Sequence, residues 1–510
     1  MKKEKKNGKI LWIIWIEVLV VAVCMLLSFV LPKKNIVVDG SEVQYLYTKD
    51  ETSFYLGGER KLGIGSYDVT FYYDAFNGDN YYSFTLDGKE CSQIHYDRWM
   101  NLLPGNTSQT AHMYLTAPVS RFMIQIRTMD TEIVTLKRAE IVKEHTDLRI
   151  FGICVGILCI IVHLLMYWYR KTKDRFLFGA VLIGLLAMLP VYTGYLTGGH
   201  DMTFHLYRIE GMKDAMLSGQ FPVRIAPTPY QGYGNANPLY YPELFLYIPA
   251  FLRMAGFALH AVFLMTIAAV HFGTALISYA SFDYLFQNKK TALLTCALYS
   301  FAFYRLEVMH YRYALGEGLA MMLLPLFIAV FARLLRCKER DFKTRRRTVL
   351  LLVVTFSAFL QSHLLSCMML LFLGIVLVLF FGYGLVRNKT WQDLLIAIGI
   401  TILINLWFLV PLKEAMGQDY QMRAATNEGI SENALFVSQL FFPSGTFDGV
   451  TEDLLDGVYN EMPLTLGLLM SVAFIFELAI VPLVCKKRKS DERCKYFFFC
   501  LGMSVFYMFL

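Results

Sequence analysis

The sequence predicts an α-helical polytopic membrane protein carrying an N-terminal extracytoplasmic β-sandwich, on three observations. The chain of 510 residues is 56% hydrophobic, with a mean hydropathy of +0.44 and only 17% charged residues, whereas soluble domains are nearer a quarter charged. Apolar runs of membrane length recur along it, separated by short Lys/Arg clusters. One long polar stretch, residues 33–147, instead alternates aromatic or β-branched residues with polar ones.

The first element is "MKKEKKNGKILWIIWIEVLVVAVCMLLSFVLPKKN". Its apolar run, Ile10 to Leu31, exceeds a signal-peptide core and ends in Leu31-Pro32-Lys33-Lys34, so residues 1–32 read as an uncleaved anchor. Residues 33–147 follow as a jelly-roll-like β-sandwich. "GSYDVTFYYDAFNGDNYYSFTLDG" alternates and is broken by Asn-Gly-Asp-Asn and Asp-Gly turns, and further strands read at "HMYLTA", "RFMIQIRT" and "EIVTLKRAEIV". Its tyrosines and Trp99 have two readings, a sugar-stacking platform or ordinary core and sheet-face residues. Asn106-Thr107-Ser108 is a short sequon match.

Residues 148–510 form the multi-span domain. Lys/Arg clusters at 1–9, 170–175, 289–290, 336–347, 387–389 and 486–495 are expected on the cytoplasmic side, which puts the N-terminus there too. That rule gives about 11 spans, near 10–31, 148–168, 176–196, 261–286, 291–304, 318–336, 349–363, 364–383, 394–412, 461–485 and 496–510. The stretch 244–258 contains Pro249 and Arg253 and reads as interfacial or re-entrant. The last run stops at Leu510 without a flanking charge, as in a truncated chain.

Several function classes fall away on composition. The net charge of +7 is spread over the loop clusters, with no basic and aromatic patch of the kind that binds nucleic acid. Cys91 stands alone in the polar region, and Cys485 and Cys494 lack partners for a zinc site. Phosphate-cradling glycine loops and GxSxG elbows are absent.

Chemistry concentrates in outer segments at membrane boundaries. In "GGHDMTFHLYRIEGM" Asp201 can cap a helix from about Met202 to Leu217. His205 and Arg208 follow at helical spacing and extend the same face. A carboxylate, an imidazole and a guanidinium on one face suit a base or metal ligand beside an anion-binding group, and a plain helix cap is the alternative. His200 reads as ordinary. The segment continues through "SGQFPVRIAPTPYQGYGNANPLYYPEL", which adds Arg224. In "YRLEVMHYRYALGEG", Glu317 either caps the next helix or partners Asp201, and a hard divalent ion, Mg or Mn, is the cofactor such a carboxylate pair would take. Arg305 and Arg312 lie outside against the positive-inside trend and suit a lipid phosphate. His363, in "LQSHLLS", is either a helix contact within the bundle or a site residue. The outer loop 413–460 adds Lys413 and Arg423.

The ordered motifs "HDMTFHLYRI", "SGQFPVRI", "YGNANPLYYPELFLYIPAFL", "YRLEVMHYRYALGEGLAMMLLPL" and "SHLLS" resemble bacterial polytopic membrane proteins described as 6-pyruvoyl-tetrahydropterin synthase-related, over about residues 170–420. These in turn look like the GT-C superfamily of polyprenyl-phosphate-sugar-dependent glycosyltransferases. The resemblance implies a GT-C-like membrane domain in the bacterial plasma membrane. It implies a catalytic acid in the first outer loop, here Asp201, and a second in the next, here Glu317, either also a metal ligand. It further implies a polyprenyl-phosphate-linked sugar as donor at the outer leaflet and an envelope glycan as acceptor, with membrane lipids as surroundings and no nucleic acid. His205, Arg208, Arg224, Arg312 and His363 would hold substrate or phosphate. The second loop has no Asp-x-Asp, a departure from the GT-C pattern. The competing functions are a non-catalytic envelope assembly factor and a lipid or glycan transporter. Transport calls for ionisable residues buried within spans, and the sequence offers few beyond Glu17.

Overall fold

The computed structural model describes residues 2–42, 44–47, 52–63, 65–74, 80–86, 89–90, 100–102, 105–115, 118–128, 134, 136–190, 201–227, 234–337, 341–418 and 467–487. The chain folds into mostly helical structure with a smaller β region near its N-terminus.

Among the described residues the β region has ten strands: β1 Lys34–Asp39, β2 Gln44–Tyr47, β3 Thr52–Leu62, β4 Gly65–Tyr73, β5 Asn80–Leu86, β6 Lys89–Glu90, β7 Met100–Asn101, β8 Ser108–Leu115, β9 Val119–Thr128 and β10 Leu136–Glu144. They make two sheets, ordered β1-β10-β4-β8 and β2-β3-β9-β5-β6, with β7 also on β5. The strand pairings among the described residues are all antiparallel; Val69 faces Ala111 and Phe84 faces Ile124. Strand alternation sends Val69, Phe71 and Tyr73 of β4 and Phe122, Ile124 and Ile126 of β9 into one shared core. Phe71 stands 4.9 Å from Tyr82 and Phe84 lies 5.5 Å from Phe122. Each such ring contributes about 1.5–3 kcal/mol by burial. Tyr67, Tyr73 and Tyr82 are therefore core residues, and Trp99 lies outside the described residues.

The helices are α1 Lys2–Val30, α2 Thr146–Thr172, α3 Phe176–Ala187, α4 Met202–Leu217, α5 Asn237–Tyr240, α6 Tyr247–Met254, α7 Leu259–Phe286, α8 Lys289–Ser300, α9 Phe303–His310, α10 Leu315–Arg336, α11 Phe342–Leu360, α12 Leu364–Arg387, α13 Trp391–Ile404, α14 Leu406–Met416 and α15 Leu468–Lys487. Among the described residues five contain a stretch long and apolar enough to cross a membrane: Trp12–Val30, Leu148–Thr172, Ala261–Phe286, Leu315–Arg336 and Leu364–Arg387. Counting the bent pairs α8–α9 and α13–α14 as one span each gives up to seven. The chain thus has the helices of a membrane protein.

The expected count of about 11 is not reached among the described residues, for local reasons. Of the described part of the stretch 176–196, Phe176–Ala187 is α-helix, about 18 Å of it, and residues 191–196 lie outside the described residues. The stretch 291–304 bends by 49° between α8 and α9. The stretch 394–412 bends by 71° at Asn405, whose Nδ2 donates to Thr401 O at 2.8 Å and to Ser357 Oγ at 2.9 Å, while its Oδ1 accepts from Gln361 Nε2 at 3.0 Å. A side chain bonded into the helical ladder is a recognised cause of such a kink. Residues 349–360 of the stretch 349–363 lie in α11, whose first two turns hold Lys343, Arg345, Arg346 and Arg347. Leu244–Met254 is short, in keeping with a non-crossing segment. The span 496–510 lies outside the described residues, as does the start of 461–485.

Four of the basic clusters meet at one end of the bundle. Lys289 pairs with Asp174 at 3.1 Å, Arg336 Nη1 donates to Tyr284 O at 3.3 Å, Asn388 Nδ2 donates to Leu335 O at 3.1 Å, and Arg345 Nη2 donates to Lys389 O at 3.0 Å. The starts of α10 and α12 lie at the other end, with the candidate site.

Candidate functional site

The site is assembled from three helix starts. Helix α4 begins at Met202 as the sequence predicts, with Asp201 at the N-cap position; its carboxylate makes no capping bond. Its backbone N–H instead donates to Arg312 O at 2.8 Å, tying the segment before α4 to the turn between α9 and α10. Between α9 and α10 the chain turns through Tyr313, whose φ of +57° is the left-handed region. That conformation costs a tyrosine about 1–2 kcal/mol, and the buried ring, 5.7 Å from Phe263, holds the turn in place. Arg312 and Glu317 face one another across it.

Glu317 does not cap α10. Its Oε1 accepts from Tyr304 Oη at 2.5 Å and its Oε2 accepts from Arg312 Nη1 at 3.2 Å. His363 starts α12: its Nδ1 accepts from Ser366 N–H at 3.3 Å, which leaves the ring proton on Nε2. Burial pulls the imidazole down from its ordinary value; the charges of Glu317, Arg208, Asp201 and Arg312 act on it as well, Glu317 most strongly. The structure therefore brings Asp201, Glu317, Arg312 and His363 within electrostatic reach of each other, with the Tyr241 ring 5.6 Å from His363.

Arg208 and His205 belong to the layer beneath. Arg208 is 6% exposed; its Nε donates to Glu243 Oε1 at 3.1 Å, its Nη2 to Pro242 O at 2.7 Å, and its guanidinium lies 3.9 Å from the Tyr241 ring centre. Those contacts use the fork that the phosphate-binding expectation assigned to substrate. Burial raises Glu243 to about 7, against the opposing pull of Arg208. His205 is buried, and its Nε2 accepts from Leu315 N–H at 3.2 Å. Burial first, then the charges of Arg208 and His363, hold His205 well below the ordinary histidine range. It acts as a clamp between α4 and α10.

Two expected anion ligands sit elsewhere. Arg224 donates to Trp407 O and lies 5.6 Å from that indole, against α14. Arg305 is not at an outer surface: it is buried and donates to His271 Nδ1 at 3.1 Å, Thr274 Oγ1 at 2.8 Å and Ser300 O at 3.0 Å. His271 stacks on His310 at 4.5 Å. Close by in sequence, Glu307 is 1% exposed and both its carboxylate oxygens lack a hydrogen-bond partner among the described residues. Ionisable groups are thus buried within the bundle, against the sequence expectation of few. His200, Arg423 and residues 419–460 lie outside the described residues.

A divalent ion at the Asp201–Glu317 pair would depend on phosphate and water for most of its ligands. Both Glu317 oxygens are engaged by a cation and a hydroxyl, and among the described residues no group of three or more His, Cys, Asp and Glu could hold a metal. The residues that sequence reasoning passed over are Tyr241, Glu243, Tyr304 and Glu307; all lie in motifs quoted for their neighbours, and acids and tyrosines beside apolar runs are the signal that marks them.

Tyr241 also depends on a glycine. A Cβ on Gly316 would overlap the Tyr241 hydroxyl and stand 3.0 Å from Ser362 O. Gly316→Ala is expected to displace Tyr241 and destabilise the protein by about 1–3 kcal/mol, read as a lowered thermal midpoint in detergent; an unchanged midpoint would show the ring free to move aside.

A family of unknown function (DUF6541) matches residues 154–474, more than half of the chain, and the chain belongs to that family. No curated protein matches it. Among solved structures, a native family 35 carbohydrate-binding module from Clostridium thermocellum is 12% identical with a TM-score of 0.16, over 21% of this chain and 97% of that one. TmCBM61 in complex with β-1,4-galactotriose is 13% identical with a TM-score of 0.13, over 22% and 85%. Neither score reaches that of a shared fold over the whole chain.

Proposed function

We propose that this DUF6541 member is a GT-C-like membrane glycosyltransferase that moves a sugar from a polyprenyl-phosphate donor to a cell-envelope acceptor on the outer face of the bacterial plasma membrane. The observation that supports it is the Asp201–Arg312–Glu317–His363 constellation: two carboxylates from separate outer segments around one arginine. In this reading Arg312 receives the donor phosphate. A phosphate offers the guanidinium a bidentate partner, stronger than its single 3.2 Å bond to Glu317. Donor binding would then release Glu317 from Arg312.

The reaction needs a base, an electrophilic sugar carbon and a stabilised leaving group. Asp201 takes the proton of the acceptor hydroxyl. The oxygen attacks the anomeric carbon from the face opposite the phosphate, the carbon–oxygen bond to the phosphate breaks, and the configuration inverts. Arg312 stabilises the phosphate charge that develops, and His363 Nε2–H is a second donor to it. No step runs through a metal ion.

Asp201→Asn is expected to reduce transfer of radiolabelled sugar from a polyprenyl-phosphate donor by about 10²-fold or more in membrane preparations, with insertion and expression unchanged. Glu317→Gln should lose activity too. If the double variant transfers sugar, or complements a deletion, as wild type does, the enzyme reading fails. A transporter of lipid-linked glycan is the second reading, favoured by the buried His271, Arg305 and Glu307. It predicts movement of the labelled lipid across vesicles without change in its sugar.

A further inference from the structure

We infer that the end of the bundle formed by the first turns of α11 and α13 is a docking surface for anionic phospholipid headgroups. This surface is remote from the candidate site, at the other end of α12, and does not depend on the reaction proposed above.

The start of α11 is electrostatically unfavourable by itself. Helix α11 opens on Asp341, whose carboxylate accepts from Thr344 N–H at 3.1 Å, and then carries Lys343, Arg345, Arg346 and Arg347 in its first two turns. Cations at a helix N-terminus meet the positive end of its dipole and are disfavoured there. Arg345 is compensated within the protein: its Nε donates to Asp393 Oδ2 at 2.6 Å and its Nη2 to Asp393 Oδ1 at 3.0 Å. Arg346 and Arg347 are exposed and make no ion pair among the described residues, and Lys343 is exposed as well. An anion bound at this end of the bundle would compensate them.

What surrounds them identifies the outside partner. Lys343, Arg347, Leu350 and Val354 recur at three- and four-residue spacing and so share a face. Leu350 and Val354 are exposed, so this stripe runs from cationic to apolar within three turns. Phe342, 78% exposed, and Trp391, 43% exposed at the start of α13, flank the cations. The Arg345–Asp393 pair brings the two helix starts together. Basic heads above an apolar face with aromatic rings at the boundary match the headgroup level of a bilayer, where long cationic side chains reach phosphate. A zwitterionic headgroup brings no net charge to offset the cluster. An anionic one does.

The test uses the full-length chain reconstituted in phosphatidylcholine vesicles containing spin-labelled phosphatidylglycerol or spin-labelled phosphatidylcholine, with the motionally restricted lipid fraction read by electron paramagnetic resonance. Wild type is expected to retain phosphatidylglycerol several-fold over phosphatidylcholine, and raising salt should shrink that preference. The Lys343→Gln/Arg346→Gln/Arg347→Gln variant should lose most of it. Removing Arg170 and Lys171, in another basic cluster, should leave most of it intact. Equal preference in wild type and the triple glutamine variant overturns the inference, as does a wild type that does not discriminate between the lipids. Should the glutamine variant fail to insert, Arg346→Lys/Arg347→Lys keeps the charge and must keep the preference, and the salt series on wild type decides alone.

Discussion

Arg208→Met is expected to cost about 3–5 kcal/mol of stability, because removing one member of a buried ion pair strands the other. Glu243 is 3% exposed, and its second oxygen already lacks a hydrogen-bond partner among the described residues. Without the guanidinium its remaining oxygen loses the 3.1 Å bond, Pro242 O loses its 2.7 Å donor, and Tyr241 loses a cation 3.9 Å from its ring centre. A desolvated cation over a ring contributes about 2 kcal/mol by itself. Arg208→Lys keeps the charge but not the fork, so it should fall between wild type and the methionine variant. The measurement is the unfolding midpoint of the detergent-purified protein. This experiment also separates the two roles of Arg208. A substrate-binding arginine would lose function at wild-type stability when replaced by methionine, whereas the packing described here requires the stability to fall first.

The comparison between sequence and structure turns on distance along the chain. Helix α4 was legible to the residue, since Asp201 and the polar pattern around it are local signals. The β region was legible because inward and outward residues alternate, and Val69, Phe71 and Tyr73 do point to one core. Other features rest on pairings between distant segments and have no local signature. Glu243 lies 35 residues from Arg208, and the Asn405 bend depends on Ser357 and Gln361, 48 and 44 residues away. The inward orientation of Arg305 was hidden for another reason: α9 has only eight residues between two breaks, too few for a periodic pattern to reveal its buried face. The left-handed Tyr313 was illegible because tyrosine has no preference for that region; only its packed ring keeps it there. Asp201, Glu317 and Arg312 were visible as charges beside helix starts, but the bonds joining them, Asp201 N–H to Arg312 O and Arg312 Nη1 to Glu317 Oε2, had to be seen folded.

Glu243 also sets a pH dependence. Its carboxyl is pushed up from an ordinary 4.5 to about 7, chiefly by burial, with Arg208 opposing, and the rings of Tyr241 and Tyr247 lie within its field. The folded protein therefore holds this proton more tightly than the unfolded chain. Stability from the group is complete below pH 4.5 and is lost as pH rises through about 7, a change of about 3 kcal/mol. Two neighbours run the other way. His205, held well below its ordinary 6.5 by burial and by the charges of Arg208 and His363, makes the fold lose stability as pH drops below 6.5. Burial alone would raise Glu210, but Arg253 and Lys213 hold it at about 2, so its contribution disappears only on stronger acidification. The wild-type curve mixes these slopes, and the difference from Glu243→Gln isolates one of them, since glutamine keeps the acceptor for Arg208 and cannot titrate. Relative to that variant, wild type should lose stability steadily between pH 4.5 and pH 7 in detergent unfolding measurements. A difference that stays flat across this window would mean that Glu243 is ionised throughout, with the 3.1 Å contact to Arg208 outweighing its burial.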